Sequence, residues 1–240
     1  MNNSAQFANL KLFEKLKKGG TIRVIAFGSS NTERFMVGAH WFDYIEIGFK
    51  RLFGGGCGQF INCGISGQTS CDLLNRFDRD IAPMKPDLVI ITIGGNDANP
   101  TNNVSPEELR KNLFELRSRI AKWGGQTIFQ TYYAACPPEK YFTAKWAKNY
   151  TVYMQVIRDA AGEMLNDNWV RWERLRLVNP GAHRLLMRDM LHVNPIGNAV
   201  IGLDLLRKFG ISLPDENAPW ICAGIFAQTT LDLLEKQDNK

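Results

Sequence analysis

The sequence predicts an α/β domain built on a parallel sheet, and three observations carry that expectation. Short apolar runs alternate with segments of helical periodicity, the pattern of successive βαβ units. One run, Leu88-Val89-Ile90-Ile91-Thr92-Ile93, is apolar or β-branched throughout, as a strand covered on both faces requires. The 240 residues are 45% hydrophobic, enough to bury a sizeable core without staples, so one domain over residues 1–240 is the simplest division.

Each element has a local reason. Phe7, Leu10, Phe13 and Leu16 alternate with Lys11, Lys15, Lys17 and Lys18, which predicts an amphipathic N-terminal helix over about residues 5–18. Gly19-Gly20 stops it, and residues 21–27 read as a buried strand. Trp41, Ile45, Gly48, Phe49 and Leu52 then recur at helical spacing as far as Gly54-Gly55-Gly56. Residues 59–63 give a short second strand, and Leu73, Leu74, Phe77 and Ile81 mark a helix that ends before Pro83. The third strand covers residues 87–93. Ser105-Pro106-Glu107-Glu108 is a capping box with proline at the first helical position, and its helix carries Leu109, Leu113, Leu116 and Ile120 on one stripe. Gly124-Gly125 ends that helix, and residues 127–132 form a fourth strand. A helix over about residues 143–165, a fifth strand near residues 169–172, and closing helices over 195–209 and about 219–236 complete the prediction.

Composition removes several function classes. The formal charge is +5, yet lysine and arginine are scattered apart from the first helix, whose basic side reads as a solvated face; no nucleic-acid partner is expected. No apolar run approaches a membrane span and the first residues are polar, so the expectation is a cytoplasmic protein without stable membrane insertion. Cys57, Cys63, Cys71, Cys136 and Cys222 form no C-x-x-C pair and read as reduced packing residues. There is no Walker loop, no G-x-G-x-x-G after the first strand, no G-x-S-x-G elbow and no histidine pair at helical metal spacing. Neither a cofactor nor a catalytic metal is expected. The sequence leaves the oligomeric state open.

Four short segments carry the chemistry. They are Phe27-Gly28-Ser29-Ser30-Asn31-Thr32, Asn62-Cys63-Gly64-Ile65-Ser66-Gly67-Gln68-Thr69, Gly94-Gly95-Asn96-Asp97 and Asp189-Met190-Leu191-His192. Ser30, Gly67 and Asn96 follow the first, second and third strands, and His192 is expected after the fifth. Ligands of open parallel sheets bind outside the carboxyl ends of the strands. Ser30 is a candidate nucleophile that needs a neighbouring base; a turn serine is its bland alternative, and Ser29 is its competitor. His192, with Asp189 to fix its tautomer, is the candidate base. His183 is a backup, and His40 is the third histidine of the chain. Backbone N–H groups of Ser30 and Gly67 and the Asn96 side chain are candidate donors to an oxyanion, against ordinary turn roles for Gly67 and the Asn96-Asp97 pair. Together these are the parts acyl transfer needs. The aromatic segment Tyr132, Tyr133, Tyr141, Phe142 and Trp146 is a candidate pocket wall, with Trp146 leaning to the core.

Over about residues 21–209 the chain resembles the SGNH (GDSL-type) hydrolases, with Gly28-Ser29-Ser30 standing where the family has Gly-Asp-Ser. The resemblance implies a flavodoxin-like three-layer α/β/α sandwich with a five-stranded parallel sheet. It implies Ser30 as nucleophile, Gly67 and Asn96 as oxyanion-hole donors, and Asp189 with His192 completing a triad. The expected activity is hydrolysis of a small carboxylic ester through an acyl-enzyme, first an acetylesterase on O-acetylated carbohydrate and second a lysophospholipase or acyl thioesterase. A non-catalytic ligand-binding module on the same scaffold is the rival of another class, favoured only by Ser29 in the aspartate position.

Overall fold

The computed structural model describes residues 5–35, 38–137 and 141–211. Five strands, β1 (Ile22–Gly28), β2 (Gly58–Gly64), β3 (Leu88–Thr92), β4 (Gln126–Gln130) and β5 (Leu165–Asn166), form one parallel sheet in the order β2-β1-β3-β4-β5. The helices are α1 (Lys11–Lys17), α2 (Trp41–Phe53), α3 (Ser70–Asp80), α4 (Pro106–Ala121), α5 (Ala144–Ala161), α6 (Trp169–Val178), α7 (Pro180–Leu185) and α8 (Pro195–Lys208).

Alternation along the strands builds two cores. Val24, Ala26, Leu88, Ile90 and Ile128 pack with Phe13 of α1, Phe49 of α2 and Leu205 of α8. Ile25, Phe27, Val89, Ile91 and Phe129 pack with Phe77 of α3, Leu113 of α4 and Ile157 of α5. Successive side chains of a strand point to opposite faces, so a continuously apolar strand is what a sheet between two helical layers requires. The result is the expected flavodoxin-like three-layer sandwich. Each fully buried Phe or Leu in these cores contributes about 1.5–3 kcal/mol of transfer free energy.

The register positions the site. Gly28 of β1 pairs with Gly64 of β2 and with Thr92 of β3, so the three strands end level and their loops leave from one edge. A Cβ at Gly64 would lie 2.1 Å from the Glu33 nitrogen. The turn after Ser30 therefore folds onto the end of β2 only because residue 64 has no side chain.

Three expectations need correction. The N-terminal helix is shorter than expected: Phe7, Leu10, Phe13 and Leu16 are buried, but residues 5–9 form turns. The Phe7 N–H bonds the Lys208 carbonyl at 2.7 Å and the Lys11 N–H bonds the Gln126 side chain at 2.8 Å, which pins the lead-in before α1 begins. Secondly, the fifth strand is Leu165–Asn166 and residues 169–172 belong to α6. Gly162, at φ +59°, ends α5 early and frees Leu165 to pair with Phe129. The Thr131 hydroxyl then accepts the N–H groups of Asn168 and Trp169, at 2.8 and 2.9 Å, and turns the chain into helix. Thirdly, His192 does not follow the fifth strand directly, because α6 and α7 intervene. The helix expected over about residues 219–236, with Cys222, lies outside the described residues.

Candidate active site

Ser30 lies two residues beyond β1, in a turn closed by the N–H groups of Thr32 and Glu33 on the Ser29 carbonyl, both at 2.9 Å. Gly67 lies in the loop after β2 at φ +80°, left-handed backbone that favours glycine. Asn96 follows β3, and its side-chain NH2 donates to the Gln68 carbonyl at 2.9 Å, tying the third loop to the second. An amide nitrogen carries two hydrogens, so one stays available. Among the described residues, neither the Ser30 nor the Gly67 backbone N–H has an internal acceptor.

Asp189 and His192 share the loop between α7 and α8. The His192 Nε2 stands 2.9 Å from the Ser30 Oγ, and its Nδ1 stands 2.9 Å from both Asp189 carboxylate oxygens. The Asp189 Oδ1 also accepts the N–H groups of Leu191 and His192, each at 2.8 Å, and its Oδ2 faces the Arg188 guanidinium at 3.0 Å. Partial burial works to raise the Asp189 carboxyl, but the His192 ring, the Leu191 N–H and the Arg188 guanidinium outweigh it and hold the group well below the usual carboxylate range. Asp189 is thus an anion at any working pH. A hydroxyl, an imidazole and a carboxylate stand in one hydrogen-bonded line, the geometry that passes a proton from oxygen to nitrogen while an anion steadies the cation that forms.

Ser30, Gly67, Asn96 and His192 line one open cavity of about 480 Å3. Tyr132, Tyr141, Trp146 and Tyr150 form its aromatic wall, while Glu33 and Arg188 place charge at its rim. Trp146 answers to both expectations: it is buried with the core of α5, its indole N–H bonds the Gly95 carbonyl at 2.9 Å, and it reaches the cavity.

The other two histidines serve the scaffold. His40 caps the N-terminus of α2, and its ring faces the Asn31 carbonyl at 3.3 Å. Desolvation by burial lowers its pKa to about 4, only partly opposed by the bond to Asn31, so it is neutral at pH 7. His183 is buried and bonds the Ala134 carbonyl at 2.8 Å, and burial lowers its pKa as well. Ser29 is buried, and its hydroxyl is engaged by that of Tyr132 at 2.7 Å. Among the described residues no group of three or more metal-binding side chains is assembled. Nor is any helix there long and apolar enough to cross a membrane.

Two residues brace the site in ways the sequence does not show: Arg76, and Tyr133, which is expected in the pocket wall but is buried behind it. Arg76 of α3 is buried and donates to the Gly28 and Cys63 carbonyls at 3.0 and 2.9 Å, to the Gln68 side chain at 2.6 Å and to Asp80 at 2.9 Å. It fastens the ends of β1 and β2 and the loop of Gly67 together. Tyr133 links the loops of Ser30 and His192 through its hydroxyl.

Residues 26–200 match the family model of the GDSL-like lipases/acylhydrolases. The chain belongs to that family. It is therefore a carboxylic ester hydrolase, and its fold is the SGNH type. It is 28% identical over 175 residues to the uncharacterized lipoprotein YqeF of Bacillus subtilis (strain 168), covering 61% of this chain and 70% of YqeF. It is 33% identical to the esterase TesA of Pseudomonas aeruginosa over 70 residues, which are 29% of this chain and 34% of TesA. Among solved structures, the acetylxylan esterase Axe2 of Geobacillus stearothermophilus superposes with a TM-score of 0.65 at 23% identity, covering 80% of this chain and 95% of Axe2. At that identity the likeness shows the fold.

Proposed function

We propose that this GDSL-like hydrolase works through a serine acyl-enzyme and removes acetyl groups from carbohydrate. The observation that carries the mechanism is the 2.9 Å contact between the His192 Nε2 and the Ser30 Oγ, with the other ring nitrogen already engaged by Asp189. A serine hydroxyl is too weak a nucleophile to attack unaided at neutral pH. In this reading His192 takes its proton as Oγ attacks the ester carbonyl, then gives it to the departing alcohol. The same ring next deprotonates a water that hydrolyses the acyl-enzyme. Asp189, kept ionised by its hydrogen bonds, steadies the imidazolium at each step. The negative charge of the tetrahedral intermediates falls to the N–H groups of Ser30 and Gly67 and to the amide hydrogen of Asn96 left over from Gln68.

The substrate class rests on the cavity and the neighbours. An aromatic wall beside polar rim groups suits a sugar ring, whose apolar face stacks and whose hydroxyls take hydrogen bonds. Axe2, similar in fold, is an acetylxylan esterase. The test is a panel of p-nitrophenyl esters from acetate to palmitate, run beside acetylated xylan. Acetate is expected to be the best chromogenic ester, with acetate released from the xylan. A preference for long acyl chains, or no release from xylan, would reject the carbohydrate assignment.

A further inference from the structure

Tyr133 lies three residues beyond β4, fully buried, with its ring 5.0 Å between centroids from that of Trp172. Its hydroxyl accepts the Val193 N–H at 2.9 Å. The hydroxyl hydrogen has two acceptors in reach, the Leu191 carbonyl at 2.9 Å and the side-chain oxygen of Asn31. Leu191 and Val193 are the two neighbours of His192, and Asn31 is the neighbour of Ser30. One oxygen atom therefore touches both sides of the histidine and the residue beside the serine. Asn31 is held from its other side as well, because its carbonyl accepts the Trp41 indole N–H at 2.9 Å. Among the described residues, the other direct hydrogen bonds between these loops are that from the Asn31 side chain to the Leu191 carbonyl at 3.5 Å and the Ser30–His192 contact itself.

We propose that Tyr133 is a positioning residue whose hydroxyl sets the alignment of His192 on Ser30, an inference that rests on the serine mechanism above. Proton transfer needs heavy atoms within about 2.6–3.2 Å, and a displacement of about 1 Å costs on the order of 100-fold in rate. A phenol fits this role because its single oxygen accepts from one loop and donates to the other. Burial pushes the Tyr133 pKa well above its ordinary value, so the donor hydrogen stays in place through the working range.

The test is Tyr133→Phe, which keeps the ring and removes the oxygen, assayed on p-nitrophenyl acetate beside Tyr153→Phe. Tyr153 is a matched control: it is buried and donates to the Val104 carbonyl, apart from both loops. Tyr133→Phe is expected to lower kcat about 10–100-fold with KM within twofold, while Tyr153→Phe keeps kcat within twofold at a temperature where both are folded. A crystal structure of Tyr133→Phe should show the Ser30–His192 contact lengthened. Wild-type kcat in Tyr133→Phe, or an equal loss in Tyr153→Phe, would overturn the inference. Should Tyr133→Phe not fold, Asn31→Ala cuts the Ser30 end of the bridge, together with the 3.5 Å contact of Asn31 to the Leu191 carbonyl. It is expected to lower kcat about tenfold, and an unchanged kcat would overturn the inference too. A fully active enzyme that a fluorophosphonate does not label would instead reject the serine mechanism, and the Tyr133 role with it.

Discussion

The two halves of the site are held by different means. Ser30, Gly67 and Asn96 leave the level ends of three paired strands, and Arg76 fastens two of those ends with bonds to the Gly28 and Cys63 carbonyls. Asp189 and His192 sit on an irregular loop between two helices. Its ladder contact is one isolated bridge, Met187 to Val193, supplemented by the Arg188 N–H on the His192 carbonyl at 2.8 Å. The first half inherits its geometry from the sheet and the two cores. The second has no sheet ladder: Met187, Leu191 and Val193 anchor it in the cores, and hydrogen bonds to Asp189, Tyr133 and the Cys136 N–H set the rest of its course. Alignment of the pair is therefore decided on the histidine side, and substitutions there should cost turnover before they cost stability.

The largest effect expected from that difference is at the loop. His192→Ala should lower kcat on p-nitrophenyl acetate by about 10⁴-fold or more, and Asp189→Ala by less, since the imidazole keeps its reach to Ser30. Both should stay folded by circular dichroism. If Asp189→Ala kept full turnover, the carboxylate would be a loop brace alone. On the sheet side, Asn96→Ala should lower kcat about 10²–10³-fold with KM little changed. A change confined to KM would return Asn96 to a turn-forming role.

Arg76→Met sharpens the contrast from the other direction. It removes one partner each from the Gly28 and Cys63 carbonyls and from Asp80, although Gly28 keeps the Ile65 N–H and Asp80 keeps Arg79, so urea unfolding should show a loss of about 1–3 kcal/mol. The folded fraction should still turn over substrate. A variant that is as stable as the wild type would mean the strand ends are set by the ladder alone.

The smallest effect is a pH dependence. His40 titrates at about 4 in the fold against about 6.5 when unfolded, so its neutral form is the one the fold favours. That stabilisation is complete above pH 6.5 and fades as the pH falls toward 4, a change of about 3 kcal/mol. His40→Asn retains a good N-cap and should flatten this part of the stability profile. Identical profiles for the two proteins would show that His40 does not carry the acid sensitivity.

Most of the sheet half was legible in the sequence because its signals are local. An apolar run followed by Gly28-Ser29-Ser30, and another followed by Gly94-Gly95-Asn96-Asp97, announce strand ends with polar loops beyond them. The Asp189–His192 pair is also local, three residues apart in one loop. What escaped is tertiary. Trp169-Val170-Arg171-Trp172 has the residue types of a strand, yet its tryptophans stand one helical turn apart and pack on Tyr150 and Tyr133. The partners of Tyr133 and Arg76 are largely backbone atoms of distant segments, and a main-chain carbonyl leaves no mark in a sequence. Ser29 shows the same limit. Its hydroxyl is satisfied by that of Tyr132 in a buried position, so a neutral residue fits where the family has aspartate, and an added carboxylate there would be buried beside a phenol.

The most direct measurement is mass spectrometry of the protein after reaction with a fluorophosphonate, on wild type, Ser30→Ala and Ser29→Ala. One label is expected, on the peptide containing Ser30, in wild type and Ser29→Ala. Neither label nor ester hydrolysis is expected in Ser30→Ala. A label on Ser29, or a fully active wild type that takes no label, would contradict the Ser30 mechanism.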